Sequence, residues 1–211
     1  MKVKSFVFSP FDENTYIIYD ETTKEAAIID PGCFSETEET TLVEFVEKEE
    51  LVVKYLINTH CHLDHIFGNN FVKTKYNPKY LIPQKDLFLL ENAPKMGSAF
   101  GIEMNEVIHP DGFYDEDTTF TLGETEIKPL FTPGHTPGEY CLYSPSEGIC
   151  IAGDVLFEQG IGRTDLWGGD YDILIQSIRT KLFTLPDETV VYPGHGNTTT
   201  IGNEKKTNPF L

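Results

Sequence analysis

His60-Cys61-His62-Leu63-Asp64-His65 is the stretch that decides how this chain is interpreted, because it places three histidines and an aspartate within six residues. Histidine and aspartate are common metal ligands. Protonated histidines this close together would repel one another unless a cation holds them. We therefore predict that the block is a metal site.

The first histidine of the block and three later candidate ligands each follow within four residues of a short apolar run with strand character. The runs and the ligands that follow them are 51–57 and His60, 125–131 and His135, 148–152 and Asp154, and 189–192 and His195. Ligand sites on α/β scaffolds are commonly built from loops at strand ends. We therefore expect one edge of the sheet system to carry the site.

The number of candidate ligands predicts two metals. Seven ligands exceed the four of a closed structural zinc site. They divide into His60, His62 and His135 as one set and Asp64, His65 and His195 as a second, with Asp154 left to bridge. Two metals about 3.5–4 Å apart with a shared water are the economical arrangement. This layout is catalytic, because the water keeps an open coordination position.

The pattern His-x-His-x-Asp-His, followed by separate His, Asp and His positions, resembles the metallo-β-lactamase superfamily. The resemblance covers nearly the whole chain, from Asn14-Thr15-Tyr16 and Ile29-Asp30-Pro31-Gly32 to residues 207–211. It implies an α/β (α+β) fold, a four-layer αββα sandwich with the metals at one edge. At 211 residues, the chain is predicted to form a single domain over 1–211.

Two further segments resemble short bacterial glyoxalase II enzymes, the hydroxyacylglutathione hydrolases. They are Gly162-Arg163-Thr164-Asp165-Leu166 and the tail from Tyr192-Pro193-Gly194-His195-Gly196 through Asn208-Pro209-Phe210. Full-length glyoxalase II enzymes carry an extra C-terminal helical domain that supplies much of the glutathione grip, whereas this chain stops at Leu211. The thiol of the substrate is therefore left open.

The resemblance implies a role for each ligand. Family residues matching His60, His62 and His135 bind the first metal, those matching Asp64, His65 and His195 bind the second, and the one matching Asp154 bridges them. His62 is replaced by glutamate in the related flavo-diiron oxygen reductases, so its presence favours hydrolysis. Zinc is the expected metal, although iron and manganese accept the same nitrogen and oxygen ligands.

The expected reaction is attack by a metal-bound hydroxide on a carbonyl carbon. A water shared by two divalent cations loses a proton near neutral pH. A thiolate departs without a general acid, so a thioester suits the site, and S-(2-hydroxyacyl)glutathione or a related thiol ester is the expected substrate. Asp64 and Asp154 are expected to orient the hydroxide.

Three residues are candidate substrate contacts. Arg163 lies just beyond Asp154, but an ion pair with Asp165 within the same loop explains it as well. Tyr140 and Phe157 are candidates for lining a pocket, and core packing explains aromatic residues equally well.

Two alternative functions are kept. Mononuclear-iron persulfide dioxygenases resemble this chain in the histidine block and the Gly-Arg-Thr-Asp loop, and hold one iron with residues matching His60, His135 and Asp154. A non-catalytic metal-binding module is the other alternative, and it would have a filled coordination sphere.

Composition excludes some partners. The formal net charge of −18 argues against an extended phosphate-binding surface, so no nucleic acid is expected. The N-terminus lacks the apolar stretch of a signal peptide, and no run approaches membrane-spanning length. Four cysteines without a CxxC motif predict reduced thiols and a cytoplasmic protein. The expected partner is a small-molecule thioester, and the oligomeric state is left open.

Apolar spacing predicts the helices. One is expected over 36–50, capped by Ser35 and burying Leu42, Phe45 and Val46. Others are expected over 65–76, 86–91 and 171–183, with an irregular region at 93–97.

Overall fold

The computed structural model describes residues 1–104 and 107–211, which divide into two compact units. Unit 1 comprises Met1–Phe113 and Leu122–Glu124. Unit 2 comprises Tyr114–Thr121 and Thr125–Leu211. The single domain expected over 1–211 stays a prediction.

The first sheet has six strands among the described residues. They are β1 (Lys2–Phe8), β2 (Glu13–Tyr19), β3 (Glu25–Ile29), β4 (Val52–Ile57), β5 (Lys79–Pro83) and β6 (Gly112–Tyr114), and they lie side by side in that order. The pairs β1–β2 and β2–β3 are antiparallel, whereas β3–β4 and β4–β5 are parallel. The predicted strand at 51–57 is therefore confirmed, and its carboxyl end leads into the histidine block.

The described residues of unit 1 form four α-helices, namely α1 (Glu36–Lys48), α2 (Leu63–Ile66), α3 (Asn69–Tyr76) and α4 (Leu87–Ala99). The predicted cap of α1 is confirmed, because Ser35 and Glu38 form a capping box. Leu42 and Val46 are buried in the core, and Phe45 is half-buried against it.

Two predicted helix boundaries in unit 1 were wrong. The helix expected over 65–76 is divided into α2 and α3, with Gly68 as the residue before α3. The region expected to be irregular at 93–97 is helical, because α4 continues through Pro94 to Ala99. Buried residues on both sides of Pro94, such as Leu90 and Gly97, show that packing outweighs the backbone hydrogen bond that the proline cannot donate.

The second sheet also has six strands among the described residues. They are β7 (Phe120–Leu122), β8 (Thr125–Phe131), β9 (Tyr140–Ser144), β10 (Ile149–Gly153), β13 (Val190–Pro193) and β14 (Thr199–Thr200), in the order β14-β13-β10-β9-β8-β7. A separate short hairpin is formed by β11 (Leu156–Phe157) and β12 (Gly160–Ile161). Strands β10 and β13 are parallel neighbours, so both carboxyl ends lie at the same edge of this sheet.

Unit 2 contains helices α5 (Tyr171–Thr180) and α6 (Ile201–Thr207). The Asp170 side chain caps α5 by accepting a hydrogen bond from the Ile173 N–H. The helix predicted over 171–183 ends at Thr180, and a 3-10 turn at Leu182–Thr184 follows it. No helix in the described part of the chain is long and apolar enough to span a membrane.

Candidate metal centre

The histidine block places its donors directly after β4 in unit 1. His60 and His65 are fully buried and His62 is 7% exposed, while the Asp64 side chain is 17% exposed. The His60 ring centroid lies 5.0 Å from that of His62 and 4.1 Å from that of His65. Burying three imidazoles beside a carboxylate costs free energy unless something binds them. The block is therefore a candidate ligand cluster.

Asp30, at the end of β3, organises this cluster from behind. Its Oδ1 accepts a 2.7 Å hydrogen bond from the Thr59 N–H, and its Oδ2 accepts a 2.6 Å bond from the Thr59 hydroxyl. Because that hydroxyl hydrogen is donated to Asp30, the Thr59 oxygen, 3.1 Å from His60 Nδ1, acts as an acceptor there. His60 therefore carries its hydrogen on Nδ1, and Nε2 is left as the donor atom for a metal.

His65 has a ring nitrogen close to the same Asp30 carboxylate. Its Nδ1 lies 3.2 Å from Asp30 Oδ2, and its Nε2 lies 3.8 Å from Asp64 Oδ2. Donor atoms of Asp30, His60 and His65 all lie within 4.8 Å of one another. Asp30 thus serves two of the predicted ligands.

Glu13 is a further buried carboxyl group beside the cluster. Its Oε1 lies 4.0 Å from His65 Nδ1, and its Oε2 accepts a hydrogen bond from the Thr15 hydroxyl. Complete burial raises the pKa of Glu13 well above its usual range, while the neighbouring His65 acts in the opposite direction. No sequence motif indicated this residue, since it stands alone on a strand far from the histidine block.

In unit 2, two predicted histidine ligands converge on the carboxylate of the third predicted ligand, Asp154. Asp154 follows β10, and its Oδ2 lies 3.4 Å from His135 Nε2 and 3.7 Å from His195 Nε2. His135 is 1% exposed and Asp154 is 8% exposed, whereas the His195 side chain is 29% exposed. Two imidazole nitrogens that face one carboxylate oxygen from partly buried positions form a donor set suited to a divalent cation.

The orientation of His135 follows from its backbone surroundings. Its Nδ1 lies 2.7 Å from the Arg163 carbonyl oxygen, which only accepts hydrogen bonds, so Nε2 again carries the lone pair that could bind a metal. The preceding Gly134 has φ 133°, and a Cβ there would lie 2.4 Å from the Leu174 backbone. Only glycine permits this turn and its close approach to α5.

Glu139 is a second buried carboxyl group that sequence reasoning missed. It is fully buried, and its Oε1 accepts a 2.7 Å hydrogen bond from the Asp154 N–H. A carboxylate bound to a backbone N–H fixes the backbone that carries Asp154.

The candidate substrate contacts lie in three different settings in unit 2. Arg163 forms a two-bond ion pair with the Asp165 carboxylate, which lowers the pKa of Asp165 to about 2. The half-buried Tyr140 packs with Tyr114 and Phe131, at ring distances of 5.1 and 5.0 Å. The Phe157 ring meets the His195 ring edge-on at 6.3 Å.

The four cysteines form no disulfide, in agreement with the reduced thiols predicted from the sequence. Cys33, Cys61, Cys141 and Cys150 are all free and buried. Burial raises the pKa of the Cys61 thiol well above its usual range, which disfavours the thiolate that metals bind. The structure thus favours a neutral Cys61 between the two histidines.

Comparison with known proteins gives a family match over most of the chain. The family model for the metallo-beta-lactamase superfamily matches residues 9–195. The hydroxyacylglutathione hydrolase GloC of Haemophilus influenzae is 38% identical over 213 residues, which cover 100% of this chain and 98% of GloC. The probable metallo-hydrolase YqgX of Bacillus subtilis is 34% identical, with 100% of this chain and 98% of YqgX covered.

Solved structures give the same result for the fold. The crystal structure of the BLEG-1 B3 metallo-beta-lactamase has a TM-score of 0.91 and 34% identity, covering 100% of this chain and 99% of BLEG-1. The structure of TTHA1623 in a di-iron-bound form has a TM-score of 0.87 and 33% identity, covering 99% of this chain and 100% of TTHA1623.

Proposed function

Because the chain belongs to the metallo-beta-lactamase superfamily and is a metallo-hydrolase, we propose that it is a glyoxalase II-like thioesterase. The proposed reaction hydrolyses S-(2-hydroxyacyl)glutathione or a related thiol ester to a 2-hydroxy acid and a free thiol. The family match confirms the resemblance found in the sequence, and the TM-score of 0.91 confirms the metallo-beta-lactamase fold, with two sheets flanked by helices.

The observation that carries this proposal is the convergence of His135 Nε2 and His195 Nε2 on the Asp154 carboxylate. It is supported by the full-length similarity to GloC, whose name is hydroxyacylglutathione hydrolase. Hydrolysis needs an activated water, and buried imidazole and carboxylate donors of this kind are the ones that hold hydrolytic metals in proteins.

We propose that the donors of both units bind two divalent metals. The assignment follows the sequence pattern: His60, His62 and His135 for one metal, Asp64, His65 and His195 for the other, and Asp154 as the bridge. Zinc is our proposed metal, because five of the seven ligands are histidines. The di-iron form of TTHA1623 makes iron the second choice.

Metal ions held there would make a hydroxide available near neutral pH and would stabilise negative charge on the carbonyl oxygen. The residues of the chain supply the orientation. Asp64 and Asp154 are the proposed catalytic carboxylates that direct the attacking water. Thr59 and the Arg163 carbonyl hold His60 and His135 in the tautomer that presents Nε2.

The substrate contacts follow from position. Phe157 stands beside His195, so we propose that its ring borders the acyl or thiol part of the substrate. Arg163 and Tyr140 are the other proposed contacts, and the exposed guanidinium of Arg163 suits an anionic thiol such as glutathione. A cytoplasmic location stays a prediction, in keeping with four free cysteines.

The direct test is hydrolysis of S-lactoylglutathione by the purified protein, after metal loading and after chelation. We expect turnover only in the loaded protein, and we expect His62→Ala to abolish it. His109→Ala is the matched control, since His109 is exposed and lies outside the ligand set. Metal-loaded protein without thioesterase activity, but with oxygen uptake on a persulfide substrate, would replace this proposal with the dioxygenase alternative.

A further inference from the structure

We propose that Glu204 and Asn208 are positioning residues for the unit 2 ligands, although neither is a ligand or a substrate contact. They act through residues 154–163, which include the β11–β12 hairpin. This inference rests on the proposed function only in taking His135, Asp154 and His195 as metal ligands.

The segment 154–163 contains one predicted ligand of unit 2 and contacts the other two. It begins with Asp154 itself. Its Phe157 ring meets His195 edge-on at 6.3 Å and 88°. It ends at Arg163, whose carbonyl oxygen accepts the His135 Nδ1 hydrogen bond. A shift of this segment would therefore disturb all three ligands together.

The hairpin has little stability of its own. Each of its strands is two residues long, and Gln159 in the turn has φ 53°, a left-handed conformation that is unfavourable for a residue other than glycine. Isolated two-stranded hairpins are marginally stable even when they are longer. Contacts from elsewhere in the unit must hold it.

Glu204 in α6 supplies one of these contacts from a fully buried position. Its Oε2 accepts hydrogen bonds from the Gln159 N–H at 2.9 Å and from Asn208 Nδ2 at 2.8 Å. Its Oε1 accepts from the Thr199 hydroxyl at 2.6 Å and from Asn203 Nδ2 at 2.9 Å. One carboxylate thus joins the hairpin turn to β14 and to the end of α6.

Asn208 supplies the other contact. Its Nδ2 donates both to Glu204 Oε2 and, at 3.0 Å, to the Gly160 carbonyl oxygen. The turn is therefore held at the Gln159 N–H by Glu204 and at the Gly160 C=O by Asn208. Both anchor side chains are buried, whereas Gln159 is exposed and Gly160 is half-buried, so losing either anchor releases the turn from the interior of the unit.

The proposal predicts that metal affinity depends on this anchor. Partners that orient metal ligands without binding the metal are typically worth about 10–100-fold in affinity. A purely structural role would lower the stability of the metal-free protein and leave metal affinity alone once the protein is folded.

Asn208→Ala and Asn203→Ala form the test pair. Both remove an asparagine amide bonded to Glu204, but only Asn208 reaches the hairpin. Zinc affinity is measured by competition with a chromophoric chelator, and thermal unfolding is measured on the chelated proteins. We expect Asn208→Ala to weaken zinc binding about tenfold or more, and Asn203→Ala to leave it unchanged.

Glu204→Gln is the second variant, in case Asn208→Ala does not fold. The glutamine side chain has the same size as that of glutamate. Its NH₂ group, however, must face two of the four groups that now donate hydrogen bonds to Glu204. We expect the same loss of zinc affinity. Equal weakening in Asn203→Ala and Asn208→Ala, or folded variants with unchanged affinity, would overturn the proposal. No thioester enters these measurements, so failure of the thioesterase proposal would be seen separately.

Discussion

The Nδ1 hydrogen of His135 is donated to the carbonyl oxygen of Arg163 across 2.7 Å. The carbonyl accepts and never donates, so the histidine is held in one tautomer with Nε2 facing Asp154. Arg163 therefore has two separable parts: a backbone group that orients the His135 ring, and an exposed side chain that is bound to Asp165.

Replacing the Arg163 side chain separates these parts. We expect Arg163→Ala to bind as much metal as the wild type, because the carbonyl that orients His135 is retained. Metal content is measured by elemental analysis after gel filtration, with His135→Ala as the metal-deficient comparison. A rise in KM with constant kcat would assign the guanidinium to substrate binding, and loss of metal in Arg163→Ala would contradict the backbone assignment.

Thr59→Val removes the hydroxyl between Asp30 and His60 while keeping the shape of the side chain. We expect about 1–3 kcal/mol lower stability, because Asp30 Oδ2 and His60 Nδ1 lose a buried partner. We also expect metal affinity to fall about tenfold as His60 loses its orientation. Thr40→Val is the matched control, since it removes an exposed hydroxyl on α1. Equal effects in the two variants would show that the hydroxyl network has no special role.

The candidate metal ligands can be picked out in the sequence, because their signal is local, and their binding of a metal stays a prediction. Strand-like runs that end in His or Asp identify positions at a sheet edge without knowledge of the partners. The residues that hold these candidates in place, such as Asp30 and Glu204, could not be predicted in this way. Asp30 is 29 residues from Thr59, and Glu204 is 45 residues from Gln159, so only the folded chain brings each pair together.

The predicted helix boundaries were wrong for a related reason. Pro94 predicts an interruption from local chemistry, since it cannot donate a backbone hydrogen bond. Helix α4 nevertheless continues to Ala99, because Leu89, Leu90, Ala93 and Gly97 are buried along it. Local propensity is a weak guide wherever tertiary packing is extensive.

Removal of metal is expected to lower the melting temperature. A ligand that binds only the folded state stabilises it in proportion to the logarithm of its concentration over Kd. The difference in melting temperature between zinc-loaded and chelated protein should shrink between about pH 7 and pH 5.5, because protons compete with the metal for the imidazole nitrogens. Scanning calorimetry at both pH values measures this difference. A difference in melting temperature that is the same at both pH values would argue against histidine ligation.

Acid stability provides a prediction that is independent of the metal. Asp111 Oδ2 accepts hydrogen bonds from Lys73 Nζ at 2.6 Å and from the Tyr80 N–H at 2.8 Å. The bond from Lys73 is the main reason why the pKa of Asp111 lies below its usual range. A carboxyl group with a lowered pKa in the folded state contributes stability above its unfolded pKa of about 3.9 and loses that contribution as the pH falls through the folded value.

We therefore expect Asp111→Asn to be less stable than the wild type at about pH 7 and pH 5, with the difference shrinking below about pH 3.5 as the wild-type carboxyl group is protonated. Urea unfolding midpoints at these pH values measure the difference. Asp117→Asn, on the exposed turn between β6 and β7, is the control and should show little change at any pH. A stability difference between wild type and Asp111→Asn that grows on acidification would reverse the sign of the linkage, and Asp111 would then stabilise the fold in its protonated form.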